Sequence, residues 1–163
     1  MFNKVLVAID SSADSQTIFK QAVDLATSMQ ASLMVLHVLT NYEEGSPSMP
    51  ILPTNTPYMP LDDQVWHIYR DQWEAYRKAG LDRLQGYVDL ATQTGVAAEF
   101  SQLAGVPDQV ICNLATTWAA DVIVMGSHGR TGLQEFLMGS VSNYVMHHAP
   151  CAVLICRLAK TTT

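Results

Sequence analysis

Residues 122–155 read VIVMGSHGRTGLQEFLMGSVSNYVMHHAPCAVLI, and the fold turns on this stretch. It opens with Val122, Ile123, Val124 and Met125, a short, largely β-branched apolar run that reads as a buried strand. Gly126 ends the run, and Gly129 and Gly132 follow at three-residue intervals. Beyond a further apolar segment come Gly139-Ser140, a helical pattern (Val141, Tyr144, Val145, His148), then Pro150 and a second apolar strand from Cys151 to Ile155. Strand, glycine-rich loop, helix start and crossover back to a strand together describe an anion site on a parallel sheet.

Glycine reaches positive φ and lets a ligand come close, with no Cβ in the way. Inside a helix it costs about 1 kcal/mol relative to alanine, so an unbroken helix from Leu133 to His148 is the poorer reading. With Ser140 as N-cap, the unpaired N–H groups of Val141, Ser142 and Asn143 would point into the loop. Those amides and the hydroxyls of Ser140 and Ser142 would favour a phosphate. A tight strand-to-helix turn with an ordinary serine cap fits the same spacing, and spacing alone leaves both readings open.

The pattern Gly126-x2-Gly129-x9-Gly139-Ser140 resembles the nucleotide motif of the universal stress protein family. The GSHGRTG loop, the GS-V-S after it and the closing HHAPCAVLI fit that family's C-terminal pattern. The opening VLVAID, followed by a long helix, resembles its N-terminal pattern. The likeness covers nearly the whole chain apart from roughly residues 41–61. Gly-x2-Gly alone is a weak signal; the full motif, in order between two strands, is specific.

A chain of 163 residues is long enough to bury a core as one domain, expected to span 1–163. Hydrophobic content of 48% with 15% charged residues argues for a globular chain and against disorder. A net charge of −6 speaks against nucleic acid or an anionic membrane as partner. It does not exclude a phosphate ligand, because the local field at a helix start decides that. No run approaches the roughly 18 apolar residues of a membrane helix, and Met1 to Lys4 leads directly into a strand, so no secretory signal is expected. Cys112, Cys151 and Cys156 are odd in number, lie in apolar surroundings and have no metal-ligand spacing. Small buried hydrophobes in a reducing compartment is the reading, and the expected location is the cytoplasm.

Lys4 to Ile9 is a continuous apolar strand, as a parallel sheet covered on both faces requires. Asp10 stands at its end, with Ser11, Ser12 and Asp14 as candidate caps of the next helix. That helix carries Ile18, Phe19, Ala22, Val23, Leu25, Ala26 and Met29 at helical spacing. Ser32 to Leu39 is a second buried strand. Residues 41–61, with Pro47, Pro50, Pro53, Pro57 and Pro60, read as a surface excursion. Its apolar members, Met49, Ile51, Leu52, Tyr58 and Met59, suit either packing on a second subunit or a mobile loop.

From Asp62 to Thr94 runs a long helix, with Val65, Tyr69, Trp73, Tyr76, Leu84, Val88 and Ala91 as inner stripe; Gly80 and Gly86 weaken it locally. Trp66, Tyr69, Trp73 and Tyr76 suit packing better than a ligand platform. Val96 to Leu103 is a third strand and Asp108 to Ala119 a third helix; Asp121 introduces the fourth strand. Alternation at this spacing gives right-handed crossovers and a doubly wound α/β fold, an open sheet of five parallel strands with helices on both faces. The resemblance adds the strand order 3-2-1-4-5, which spacing cannot show. In that order Asp10 and Gly126 end adjacent strands whose chains lead off in opposite directions, the usual place for a ligand.

There, Asp10 can accept hydrogen bonds from ribose hydroxyls, or help hold a metal beside phosphates, or simply cap a helix. By resemblance, Val38 would offer backbone groups to an adenine edge, and Gly126, Gly129, Gly139, Ser140 and Ser142 would contact ribose and phosphates. His128 and Arg130 lie in the loop itself; Arg130 suits a phosphate partner or a solvated charge. With their neighbours, the expected nucleotide contacts are Ala8, Ile9, Asp10, Val38, Met125, Gly126, Ser127, His128, Gly129, Arg130, Gly139, Ser140, Val141 and Ser142. His37 reads as a satisfied core histidine, and His147 and His148 sit where a helix dipole favours partial positive charge.

Gly-x4-Gly-Lys-[Ser/Thr] and Gly-x-Gly-x-x-Gly are both absent, and no lysine occurs between Lys78 and Lys160. The want of a lysine, a positioned base or a second carboxylate near the motif argues against fast phosphoryl transfer. The expectation is therefore a cytoplasmic stress-response protein that binds ATP, or ADP or AMP, with Mg²⁺ as a candidate companion. It would act through a conformational change or a protein partner that the sequence does not name. The rivals are a slow ATPase or nucleotide-processing enzyme using Asp10 and a divalent metal, and a pure interaction module whose loop binds nothing. Residues 151–156, an apolar edge with no proline and no charge in its middle, predict a homodimer through the last strand, as the resemblance also implies.

Overall fold

The structure, a computed structural model, describes residues 1–50, 63–127 and 138–157. Among them the order is β1 (Lys4–Ile9), α1 (Ser15–Met29), β2 (Ser32–Leu39), α2 (Asp63–Gln93), β3 (Ala98–Ala104), α3 (Pro107–Trp118), β4 (Val122–Gly126), α4 (Ser140–His148) and β5 (Ala152–Cys156). The five strands form one parallel sheet in the order β3-β2-β1-β4-β5, as expected. No helix among the described residues is long and apolar enough to cross a membrane.

Side-chain alternation divides the core into two halves. Val5, Val7 and Ile9 of β1, with Leu33, Val35, Val122 and Val124, pack under Ile18, Phe19, Ala22 and Ala26 of α1 and Leu84 and Ala91 of α2. The alternate residues Leu6, Leu36, Ile123 and Met125 pack under Ile111 and Ala115 of α3 and Val145 of α4. Being buried on both faces, β1, β2 and β4 read as unbroken apolar runs. β3 and β5 are the sheet edges and stay half-exposed.

α1, α2 and α3 all end in the same way. The first residue after α1 and α3, and the second after α2, adopts the left-handed conformation (Gln30, φ 55°; Ala119, φ 55°; Gly95, φ 85°), and the next N–H bonds back to a carbonyl five residues earlier. This corrects the start of the third strand: Val96 is buried, but its N–H bonds to the Ala91 carbonyl and belongs to the cap of α2. The proposed side-chain caps of α1 are also revised. Asp14 holds the N-cap position without a side-chain hydrogen bond, and Asp10 turns its carboxylate onto Ser12 and Ser15 instead.

At about 1.5 Å per residue, the 31 residues of α2 extend further than β2 or β3, so one end must project beyond the sheet. Its buried residues, Gly80, Leu84 and Ala91, all lie in the C-terminal part. Toward its N-terminus, Trp66, Tyr69, Trp73 and Tyr76 form an edge-to-face ladder with ring centroids 6.1, 6.3 and 5.6 Å apart. Only residues 41–50 of the proline-rich excursion fall within the described residues, and they contain no helix or strand.

Candidate functional site

The β1–β2 ladder runs as far as Ile9 and His37, whereas the β1–β4 ladder stops at Val7 and Val124. Beyond that point the two strand ends part, because β1 leads to α1 on one face and β4 leads toward α4 on the other. A cleft of about 470 Å³ opens there, within the range of small-molecule sites. Ala8, Ile9, Asp10, Ser12 and Ser15 line it from β1 and α1, and Val38, Thr40, Tyr42 and Glu43 from the end of β2. Val106, Pro107 and Asp108 enter from the start of α3; Met125, Gly126 and Gly139 to Ser142 complete it. Of the expected residues the fold thus gathers Ala8, Ile9, Asp10, Val38, Met125, Gly126, Gly139, Ser140, Val141 and Ser142. Ser127 is buried behind the lining, and His128, Gly129 and Arg130 lie outside the described residues.

α4 begins one residue earlier in role than the sequence suggests. Gly139 is the N-cap, and its carbonyl accepts the Asn143 N–H at 2.9 Å, so Ser140 is the first helical residue and Asn143 is not free. The amides without an intrahelical partner are those of Ser140, Val141 and Ser142, in the turn that borders the cleft. The Ser142 hydroxyl is buried and lies 3.0 Å from the carbonyl oxygens of both Ser127 and Gly139. It therefore stiffens the helix start, while Ser140, exposed, and Val141 line the cleft beside it. Gly139 has φ −61° and ψ 154°, a conformation any residue adopts. Backbone strain does not demand glycine there; close approach of something in the cleft would.

Asp10 Oδ1 accepts the Ser12 N–H at 3.0 Å and the hydroxyls of Ser12 and Ser15 at 2.5 and 2.8 Å. The Ser15 hydroxyl in turn accepts the Asp10 N–H at 3.0 Å. Oδ2 has no partner among the described residues. The Asp10 carboxylate is thus held at one oxygen and open at the other. Among the described residues no cluster of three or more His, Cys, Asp or Glu is placed to hold a metal. One open carboxylate oxygen suits Mg²⁺ only in the mode where phosphates and waters supply the remaining ligands.

Beyond Val38, β2 turns back at Thr40 and drives Glu43 into the body of the protein, 6% exposed. His37 Nε2 lies 3.0 and 2.8 Å from the two Glu43 oxygens, Tyr76 donates its hydroxyl to Oε2, and the Ser11 N–H reaches Oε1 at 2.5 Å. Burial pushes this carboxyl up, and the hydrogen bonds from His37, Tyr76 and Ser11 outweigh it, leaving Glu43 below its ordinary range. The sequence reading missed Glu43, which sits in a stretch that looks like plain surface loop. The signal that could have found it is His37, a polar residue inside an apolar strand, which needs a partner.

A second, open groove of about 640 Å³ runs between Leu39 and the charged flank of α2. Among the described residues it is walled, apart from Leu39, by α2 alone, and it meets neither Asp10 nor the start of α4, so it is not the candidate. Cys112, Cys151 and Cys156 are unpaired thiols, pushed up by burial, as expected of small hydrophobes.

Residues 1–157 match the model of the universal stress protein family. The chain is 37% identical over 157 residues to the universal stress protein YxiE of Bacillus subtilis, covering 96% of this chain and all of that one. It is 32% identical over 154 residues to the universal stress protein Sll1388 of Synechocystis, covering 94% and 97%. Among solved structures, the hypothetical protein MJ0577 superposes with TM-score 0.75 at 21% identity, over 99% of each chain. The Arabidopsis thaliana universal stress protein family protein At3g01520, with AMP bound, superposes with TM-score 0.61 at 21% identity over 99% and 95%. A universal stress protein in complex with cAMP does so with TM-score 0.60 at 22% identity over 96% and 97%.

Proposed function

Because the chain belongs to the universal stress protein family, we propose that it binds an adenine nucleotide (ATP, ADP or AMP) in the cleft between β1 and β4 and serves as a stress-response protein through a change of conformation or partner. The observation that carries this is the start of α4, where three amides without a partner among the described residues and a glycine not required by its own backbone border a cleft of the right size. The AMP and cAMP held by two relatives support the adenosine part.

In this reading Val38 and Thr40, beyond the end of the β1–β2 ladder, meet the base. Asp10 Oδ2 accepts from the ribose or meets a phosphate-bound Mg²⁺, and the amides of Ser140, Val141 and Ser142 hold a phosphate. Gly126 borders the phosphate end; Ser127, His128, Gly129 and Arg130 keep the phosphate-loop role that the family resemblance implies, the last three lying outside the described residues. No cation lines the cleft among the described residues, and Asp10, Glu43 and Asp108 make it acidic. A polyphosphate would then depend on Mg²⁺ more than a monophosphate does. The same acidity favours binding over turnover, since nothing among the described residues of the cleft offers a phosphate-clamping cation or a positioned base. The site of action is taken to be the cytoplasm, and the active form a homodimer joined at β5.

Mass spectrometry of nucleotide released from freshly purified, denatured protein tests the reading, with calorimetry of AMP and ATP with and without Mg²⁺. Micromolar or tighter binding is expected; no retained nucleotide and no heat of binding would refute it. Turnover of ATP that vanishes in Asp10→Ala would instead favour the ATPase.

A further inference from the structure

We propose that Glu43 is a positioning residue of the cleft: with His37 and Tyr76 it locks the segment after β2 onto Ser11, and so sets the wall against which an adenosine would rest. The proposal extends the nucleotide reading above.

The hydrogen bonds define the state of the cluster. Gln102 Nε2 lies 3.1 Å from the Arg77 carbonyl, which can only accept, so this end of the amide donates. The same nitrogen lies 3.3 Å from His37 Nδ1, which must then accept. His37 Nε2, on the far side of the ring, then donates to Glu43. One buried carboxylate is satisfied by three donors, the His37 ring, the Tyr76 hydroxyl and the Ser11 amide. Both carboxylate oxygens are engaged, so Glu43 orders its surroundings and does not itself serve as a ligand.

What it orders is the cleft. The Glu43 N–H donates to the Thr40 carbonyl at 3.5 Å, closing a turn whose residues Thr40 and Tyr42 line the cleft, and the Glu43 carbonyl accepts from the Ser46 N–H and hydroxyl at 3.1 and 2.7 Å in the next turn. Ser11, held by its amide and by a hydroxyl bond to the Glu44 carbonyl at 2.8 Å, directly follows Asp10. Glu43 therefore fixes two walls at once. The molecule accepts a cost to build this cluster. A Cβ at Gly80, in the middle of α2, would run into Gln102 Nε2 and stand 3.0 Å from His37 Nδ1, so the helix forgoes a better helix former to come this close.

Among the described residues, the titratable groups facing Glu43 are His37 from β2 and Tyr76 from α2. Asp10, from the β1–α1 segment, is turned onto Ser12 and Ser15; β3 contributes only the neutral Gln102; and Glu44 follows in the chain. A carboxyl held below its ordinary value of 4.5 contributes fully above that value, and its hold is lost as pH falls through the folded value beneath it.

The test uses the full chain with Glu43→Gln, which keeps the shape without the charge, and Tyr76→Phe, which removes one donor. Amide hydrogen exchange at Ser11 and Ser46 in nucleotide-free protein is expected to quicken at least about fivefold in both variants. Unchanged exchange overturns the lock, whether or not the protein binds nucleotide. AMP affinity by calorimetry is expected to fall about tenfold in Glu43→Gln and less in Tyr76→Phe. Wild-type affinity in both variants overturns the positioning role. The ratio of wild-type to Glu43→Gln affinity should hold down to pH 4.5 and shrink toward one only as pH falls through the folded value of Glu43 beneath it, the titration of AMP itself cancelling; a ratio that stays constant through acid unfolding overturns the part given to the Glu43 charge.

Discussion

Among the described residues Asp10 is bound at one oxygen and open at the other, so its two candidate duties separate by substitution. Asp10→Ala strands the Ser15 hydroxyl, 1% exposed, and should lower stability by about 1–3 kcal/mol as well as weaken AMP and ATP by similar factors. Asp10→Asn keeps an acceptor for Ser12 and Ser15 and should retain most of that stability in urea unfolding. If Asp10→Asn weakens only ATP, and only with Mg²⁺ present, the residue is a metal ligand and not a ribose acceptor. Gly139 gives a complementary residue-scale test. Valine is at ease at φ −61°, ψ 154°, so Gly139→Val should cost at most about 1 kcal/mol at the helix cap. Its side chain would enter the cleft and abolish nucleotide binding; unchanged calorimetry with an unchanged circular dichroism spectrum refutes the phosphate seat.

Within α2 two glycines with the same helix propensity have different surroundings. A Cβ at Gly86 meets nothing within 4 Å, so Gly86→Ala should stabilise the protein by about 0.5–1 kcal/mol. At Gly80 the same change displaces the Gln102 amide, losing its bonds to His37 and Arg77, each worth about 1 kcal/mol, and crowds the His37 ring. Gly80→Ala should therefore destabilise by about 1 kcal/mol despite the better helix former. Urea midpoints at constant m-value measure both. A Gly80→Ala protein as stable as Gly86→Ala would mean that the α2–β2 contact is looser than described.

For the molecule as a whole, the open question of assembly centres on β5. Ala152 donates its N–H to Asp121 and Cys156 accepts from Ser127, both toward β4. Backbone groups alternate in direction along a strand, so those of Val153 and Ile155 point outward from the sheet edge. Leu154 is 43% exposed beside them. An apolar edge whose outward backbone groups have no partner among the described residues is a pairing template, and an antiparallel partner strand would give a two-fold dimer with one continuous sheet. Val153→Pro removes an outward N–H without touching the β4 ladder, and should shift the protein toward monomer with little loss of secondary structure. Light scattering that finds the unmodified chain monomeric at micromolar concentration refutes the dimer.

The universal stress protein fold was legible because its determinants are local. Buried parallel strands must be apolar on both faces, so Lys4–Ile9, Ser32–Leu39 and Val122–Gly126 announce themselves, and Gly139-Ser140 marks a helix start without any knowledge of the rest of the chain. Boundaries failed where a residue's burial served a cap and not a strand, as at Val96. The strand order was not in the spacing; it came from the family resemblance. Only the tertiary structure brought His37, Glu43 and Tyr76 together, or turned the Ser142 hydroxyl away from the cleft and onto the Ser127 carbonyl. The reason is physical: an apolar pattern is written along the chain, whereas the partner of a buried polar group is chosen by which distant backbone segments the folded sheet and helices bring within hydrogen-bonding reach.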